Sequence, residues 1–294
     1  MDELIIASRA VHFAALALLL GLPFFRLAIA PDGPARAWPG GRAIELAAGA
    51  VAVVSALGWF AGVAAGMTGS WADAFAPDML QTVAFDTRFG RLWIARLAAM
   101  AAILAVYGFG GPSRARDVVL VFLAGAVVAS LVGTGHGTAG EGAVAPIHAI
   151  ADVTHLLCAM GWIGGLFCLA QLLRRAASGI GADVLRVALP RFSHVGYWAV
   201  ALLLVSGCIN GVILVPSLAK LFGTPYGRVL LVKIALALVM VAIALVNRFA
   251  LTPKIFAAGA VGARALWRSV LVEQGVGLLV LASVALLGTI HPVP

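Results

Sequence analysis

The chain has 294 residues, of which 63% are hydrophobic and only 11% are charged, and its mean hydropathy is +1.07. A soluble domain carries about 25% charged residues, so this chain has too little polar surface to cover a soluble fold. Its net charge is +8, but most arginines and lysines lie between apolar runs, where they set orientation in a membrane. We therefore expect no nucleic-acid partner, and we predict a single integral membrane domain over residues 1–294.

Eight apolar runs are long enough to cross a bilayer, which takes about 20 helical residues. In chain order the predicted helices cover residues 4–30, 43–67, 91–110, 117–135, 145–173, 194–216, 227–250 and 268–290. Segments rich in proline and glycine separate them, and Pro190 and Pro253 mark two of the breaks. Backbone groups in lipid must be hydrogen-bonded within their own segment, so these runs predict an all-α, polytopic membrane protein.

Two segments need separate treatment. The first run resembles a signal peptide, but Asp2 and Glu3 precede its first arginine and the run is long enough to span the bilayer. We therefore expect a retained helix. The segment 68–90 carries aromatic side chains among acidic ones, which predicts one interfacial helix lying on the membrane.

The distribution of basic residues predicts the orientation. Thirteen of the 20 arginines and lysines lie on the side reached after the first, third, fifth and seventh predicted helices. The positive-inside rule places that side in the cytoplasm. Both termini are then predicted to be periplasmic, and the opposite ends of the helices form an outer, periplasmic face.

Five of the six histidines fall at or near this outer face, namely His12, His136, His148, His155 and His291. His148, Asp152 and His155 are separated by four and three residues, so they share one face of the fifth helix. Ionisable groups below the membrane surface are costly, and they usually face a bundle interior or a water-filled cavity. Two interpretations remain open for this face: a ligand site, or an interhelical hydrogen-bond network without a ligand.

As a ligand site, the outer face predicts a metal held by His12, His136, His148 and His155. Asp152 would then orient an imidazole or balance the charge of the metal. Imidazole suits copper in either oxidation state, and Met67, Met79, Cys158 and Met160 add soft sulfur atoms that suit Cu(I). Methionine in a membrane helix is most often core filler, so the copper interpretation depends first on the histidines.

A second interpretation is a b-type haem between His12 and His155, which are predicted at similar depth. The protein would then be an electron carrier or a copper reductase. Motifs of nucleotide binding, metalloprotease or nucleophilic catalysis do not occur in the sequence, so we expect no enzyme activity of those classes.

Several short motifs resemble the copper resistance protein D family, CopD. The most specific are the stretch 223–227, which reads Gly-Thr-Pro-Tyr-Gly, and the fifth helix with His155, Trp162 and the glycine pair 164–165. The Arg-x-x-His pattern ending at His12 and the Gly-His pair ending at His136 agree with it. The resemblance covers most of the chain, and it is densest over residues 191–290.

The resemblance implies an eight-helix, multi-pass inner-membrane protein of copper homeostasis. Such proteins are usually paired with CopC, a periplasmic copper-binding protein, and are thought to move copper across the inner membrane. Cys158 and His291 match no pattern of the family. An ATP-binding motif does not occur, so movement would be driven by the copper gradient, the membrane potential or tight binding of copper inside.

Overall fold

The computed structural model describes residues 2–30, 41–134, 144–178, 182–215 and 217–290, and all regular structure in these ranges is helical. Eight helices are long and apolar enough to cross a membrane, which confirms the predicted all-α, eight-helix architecture. Their bounds are α1 (Asp2–Ala28), α2 (Gly41–Thr68), α3 (Arg88–Phe109), α4 (Arg114–Ser130), α5 (Val144–Ala177), α6 (Ala182–Leu214), α7 (Pro225–Val246) and α8 (Ala260–Leu287).

All eight helices begin before their predicted first residue, and two of them begin much earlier. Helix α6 begins at Ala182 instead of residue 194, and α8 begins at Ala260 instead of residue 268. Pro190 lies inside α6, so the prediction that it breaks the chain was wrong. Apolar runs mark only the part of a helix that crosses lipid, whereas these extensions are amphipathic and bury only some side chains, such as Leu185.

The segment between α2 and α3 is not one helix. It forms two short helices, Trp71–Ala74 and Pro77–Gln81, followed by a π-helical turn over Thr82–Asp86. A proline has no backbone N–H to donate, so Pro77 starts a new helix instead of extending the previous one. Trp71 and Phe75 remain exposed.

Helix α1 lies at the centre of the bundle and packs against α2, α4, α5 and α8. It approaches the backbone of α5 closely where Gly21 faces Gly164. A Cβ atom on Gly21 would lie 2.5 Å from the Cα atom of Gly164, and one on Gly164 would collide with the Ala17 carbonyl oxygen. Only residues without a side chain let these two backbones touch.

Helices α6 and α7 lie at the periphery. Helix α6 packs on α5, and α7 packs on α8. In each, only 6% of the apolar window is buried, and within the described residues the two helices do not pack closely against each other. A crevice therefore separates α6 from α7, and its floor is formed by α5 and α8.

Buried ion pairs join α1, α2 and α4 near the predicted cytoplasmic face. Glu45 Oε1 lies 2.6 Å from Arg26 Nη2 and 2.9 Å from Arg116 Nη2. Asp117 Oδ1 accepts a hydrogen bond from Arg26 Nε at 3.1 Å. All four side chains are almost fully buried. These arginines contribute to the charge pattern that predicts the orientation, yet they also hold three helices together.

Candidate functional site

Three cavities follow one another along α5, α6, α7 and α8. The cavity nearest the predicted periplasmic face, called the outer cavity, has a volume of about 140 Å³. It shares Lys233 with the middle cavity, of about 240 Å³. The middle cavity and the inner cavity, of about 290 Å³, share Trp162. The three cavities therefore form a file from the outer end of α5 to the region where α7 ends.

The outer cavity contains two of the predicted site residues. His148 and Asp152 line it one helical turn apart, and His148 is 1% exposed. Asp152 Oδ1 accepts a hydrogen bond from Asn210 Nδ2 of α6 at 3.2 Å. Arg9 and Lys233 line the same cavity, so one carboxylate stands against two cationic side chains. A copper ion in this cavity would therefore depend on Asp152 to offset that positive charge.

The middle cavity contains His155. The Ser206 hydroxyl donates to the Leu202 carbonyl oxygen at 2.5 Å, and its oxygen lies 3.2 Å from His155 Nδ1. Because the hydroxyl proton is already used, Nδ1–H is the donor in the second bond. The lone pair of His155 is then on Nε2, where it can bind a metal. Gly207 allows the ring to sit close to α6, since a Cβ atom there would lie 3.3 Å from His155 Cε1.

His12 lies outside these three cavities. It is fully buried, and its Nδ1 lies 3.0 Å from the Ala52 carbonyl oxygen of α2, which can only accept. Nδ1 therefore carries the proton, and Nε2 has a lone pair but no hydrogen-bond partner in the described structure. The rings of Trp59 and Trp93 surround the imidazole at centroid distances of 6.0 and 6.3 Å.

The predicted ligands do not form one compact cluster. His148 and Asp152 share the outer cavity, His155 lies in the next, and His12 is separate, while His136 and His291 lie outside the described residues. Across those described ranges, no group of three or more His, Cys, Asp or Glu side chains is arranged to hold a metal.

The predicted haem pair gains no support from the structure. His12 hydrogen-bonds to α2, whereas His155 hydrogen-bonds to α6. His155 lines the middle cavity and His12 lines none of the three cavities, so the file has no cavity lined by both imidazoles. Cys158 lines a further apolar cavity of about 360 Å³, which shares Trp162 and Phe192 with the inner cavity.

Our sequence interpretation assigned no role to Lys233 and Glu273, which line the file and lie within predicted membrane spans. Glu273 is 2% exposed and lies in the inner cavity. Its Oε1 accepts from Trp162 Nε1 at 3.1 Å, and its Oε2 accepts from Asn247 Nδ2 at 2.8 Å. The sequence contained a usable signal for both residues, because Lys233 and Glu273 are each an isolated charge within a predicted membrane span.

Comparisons with known proteins agree with the predicted resemblance. Residues 1–147 match the family model described as Copper resistance protein D-like, N-terminal domain, and residues 186–287 match the model described as Copper resistance protein D. His148, Asp152 and His155 lie between the two matched ranges. No solved structure matches the chain significantly.

Three relatives cover most of the chain. Inner membrane protein YebZ of Escherichia coli (strain K12) is 32% identical over 291 residues, which is 98% of each chain. Copper resistance protein D of Pseudomonas syringae pv. tomato is 34% identical over 70% of each chain. Copper transport protein CutJ of Bacillus subtilis (strain 168) is 28% identical over 98% of this chain and 53% of its own length. The chain therefore belongs to the copper resistance protein D family and is a multi-pass protein of the inner membrane.

Proposed function

We propose that this protein moves copper ions from the periplasm across the inner membrane, and that it does so without a catalytic step. Family membership supports copper as the cargo, since relatives carry the names copper resistance protein D and copper transport protein. The single observation that carries the proposal is the file of three cavities with shared walls along α5 to α8.

The proposed ligands act in sequence. His148 and Asp152 receive copper in the outer cavity, and His155 Nε2 takes it in the middle cavity. His12 and His136 are proposed as further ligands on the outer side. Conduction requires sites that bind well enough to admit an ion and weakly enough to release it. Separate sites with few ligands each fit that requirement better than one closed cluster.

Charge and voltage act together on this route. With the predicted orientation, a monovalent cation moving inward gains about 2.3 kcal/mol per 100 mV of membrane potential. Arg9 and Lys233 oppose entry of a cation, and the Asp152 carboxylate in the same cavity offsets part of that repulsion. We also propose that a CopC-like periplasmic protein delivers copper at the outer face.

The test compares His155→Ala with His194→Ala. His194 is an exposed histidine of α6 outside the three cavities, so its loss removes one imidazole without touching the proposed route. We expect the His155→Ala variant to bind less copper when purified and to lower copper accumulation in cells that express it. The His194→Ala variant should match the wild type in both measurements. Equal copper in all three proteins, or none in the wild type, would overturn the proposal.

A further inference from the structure

Glu273 is a carboxylate buried near the midpoint of a membrane-spanning helix. Helix α8 covers Ala260–Leu287, so about half of the helix lies on either side of it. Its two oxygens accept hydrogen bonds from neutral donors only, an indole N–H and an amide. No cation among the described residues lies within ion-pair distance of it. Such a charge is costly in the middle of a membrane unless the group can take up a proton.

The amide partner of Glu273 lies at an irregular point of its helix. Asn247 starts a π-helical turn, Asn247–Leu251, directly after α7. The Thr252 hydroxyl donates to the Asn247 carbonyl oxygen at 2.8 Å, which satisfies a backbone acceptor inside the wide turn. Turns of this kind insert an extra residue into a helix and are frequent at functional sites. Here the turn accompanies an amide that is buried against the carboxylate.

The Asn247 amide can serve both protonation states of Glu273. Its Nδ2 donates to the carboxylate, while its Oδ1 is buried and has no hydrogen-bond partner in the described structure. When the amide plane turns over, Oδ1 faces the carboxyl oxygen and accepts an O–H proton from it. An ionised and a protonated Glu273 are therefore both hydrogen-bonded by the same side chain.

We propose that Glu273 is a proton-binding site at the middle of the membrane, loaded and unloaded through the inner cavity. A hydronium ion of the water that enters the cavity transfers a proton to the carboxylate: one O–H bond of hydronium breaks, an O–H bond forms on Glu273, a neutral water molecule is left, and the side chain becomes neutral. The reverse step returns the proton to water. A copper ion that reaches the inner cavity displaces this proton into the water of the cavity. The Glu273 carboxylate then offsets the positive charge of either the proton or the copper ion, but not of both. The exchange with copper rests on the proposed function, whereas proton binding by Glu273 does not.

Other polar and charged side chains also face the inner cavity. Helix α5 contributes Trp162, α6 contributes Ser193 and Tyr197, and the end of α7 contributes Asn247 and Arg248. Arg248 is the single charged side chain besides Glu273 among the described lining residues. A guanidinium stays protonated in the physiological range. Glu273 is therefore the carboxyl group of this cavity through which a proton can be exchanged.

The deciding experiment is infrared difference spectroscopy of the full-length protein in lipid nanodiscs, taken between acidic and alkaline buffer. We expect the wild type to show the carbonyl band of a buried protonated carboxyl group that appears and disappears with pH. The band should be lost in Glu273→Gln and retained in Asp152→Asn, which removes the half-buried carboxylate of the outer cavity. A band that persists in Glu273→Gln would overturn the proposal.

Folding of the variants is checked by size-exclusion chromatography. If Glu273→Gln aggregates, Glu273→Asp takes its place, because a shorter carboxyl group must shift the frequency of the band. A spectrum of Glu273→Asp identical to that of the wild type would also overturn the proposal.

The coupling is measured separately in proteoliposomes that contain a proton-sensitive dye. Copper added outside should enter the wild type with an opposite movement of protons, and Glu273→Gln should lose the proton signal. Copper entry into wild-type vesicles without a proton signal would overturn the coupling. If no copper enters wild-type vesicles, the transport proposal and with it the coupling fail, while the infrared result still decides whether Glu273 binds a proton.

Discussion

Replacing Asp152 by Asn separates the charge of this side chain from its shape. The Oδ1 atom accepts a hydrogen bond from Asn210 at 3.2 Å, and an amide oxygen in the same place can accept the same bond. The substitution therefore removes the negative charge and leaves the packing of α5 on α6 nearly unchanged. The positive charges of Arg9 and Lys233, which line the outer cavity, are then no longer offset by the Asp152 carboxylate.

The size of the effect follows from the position of the carboxylate. A unit charge about 4 Å from a copper ion contributes about 4 kcal/mol at an effective dielectric constant of about 20. Loss of a group that supports a metal ligand typically lowers affinity about 10–100-fold, which is about 1.4–2.8 kcal/mol. We expect Asp152→Asn to insert and fold normally and to lose copper accumulation by a factor in this range when external copper is limiting.

The assay measures cellular copper against external copper, normalised to the amount of protein in the membrane. The matched control is Asn210→Ala, which removes the hydrogen-bond donor and keeps the carboxylate. This control should accumulate more copper than Asp152→Asn. Normal accumulation by Asp152→Asn would show that Asp152 is structural, and equal losses in both variants would show that the hydrogen bond, and not the charge, is what matters.

Three further predictions concern stability and orientation. Glu45→Gln should destabilise the protein by about 3–5 kcal/mol, since it leaves buried arginines without their bridging carboxylate, and thermal melting in detergent measures this. Gly164→Ala should cost about 1–3 kcal/mol or more in the same assay, whereas Gly161→Ala should be tolerated, because its Cβ atom would meet no heavy atom within 4 Å. Reporter fusions after Arg114 should mark the cytoplasm and those after Asp78 the periplasm, and the reverse result would overturn the predicted orientation.

The sequence predicts the eight helices well. An apolar segment that crosses lipid finds no water to hydrogen-bond its backbone N–H and C=O groups, so it forms a helix in which these groups bond to each other. It predicts the starts of α6 and α8 poorly. Charged residues such as Asp183 and Arg186 lower the local hydropathy at the start of α6 without ending the helix. Pro190 gives a misleading signal for the same reason, because sequence alone does not show whether a proline breaks a helix or is accommodated within it.

In the candidate site, too, some contacts can be predicted from the sequence and others cannot. The shared cavity of His148 and Asp152 follows from their spacing of four residues on one helix. The contact of His12 with α2 does not follow from any spacing in the sequence. It depends on which helix packs against α1 at that depth. Contacts between distant helices, such as that of Glu273 with Trp162, depend on tertiary packing that no local spacing encodes.

The order of charges along the three cavities gives the route a physical rationale. Asp152 and His155 are three residues apart on α5, or about 4.5 Å along the axis, and Asp152 and Trp162 are about 15 Å apart. Trp162 contacts Glu273, so the half-buried Asp152 carboxylate and the buried Glu273 carboxylate stand roughly half a hydrocarbon core apart, with the His155 imidazole between them. A cation crossing lipid faces its highest cost where no negative charge is near. Carboxylates at the entrance and near the midpoint divide that barrier, which is why we expect loss of Asp152 to weaken uptake at low copper and loss of Glu273 to uncouple copper from protons.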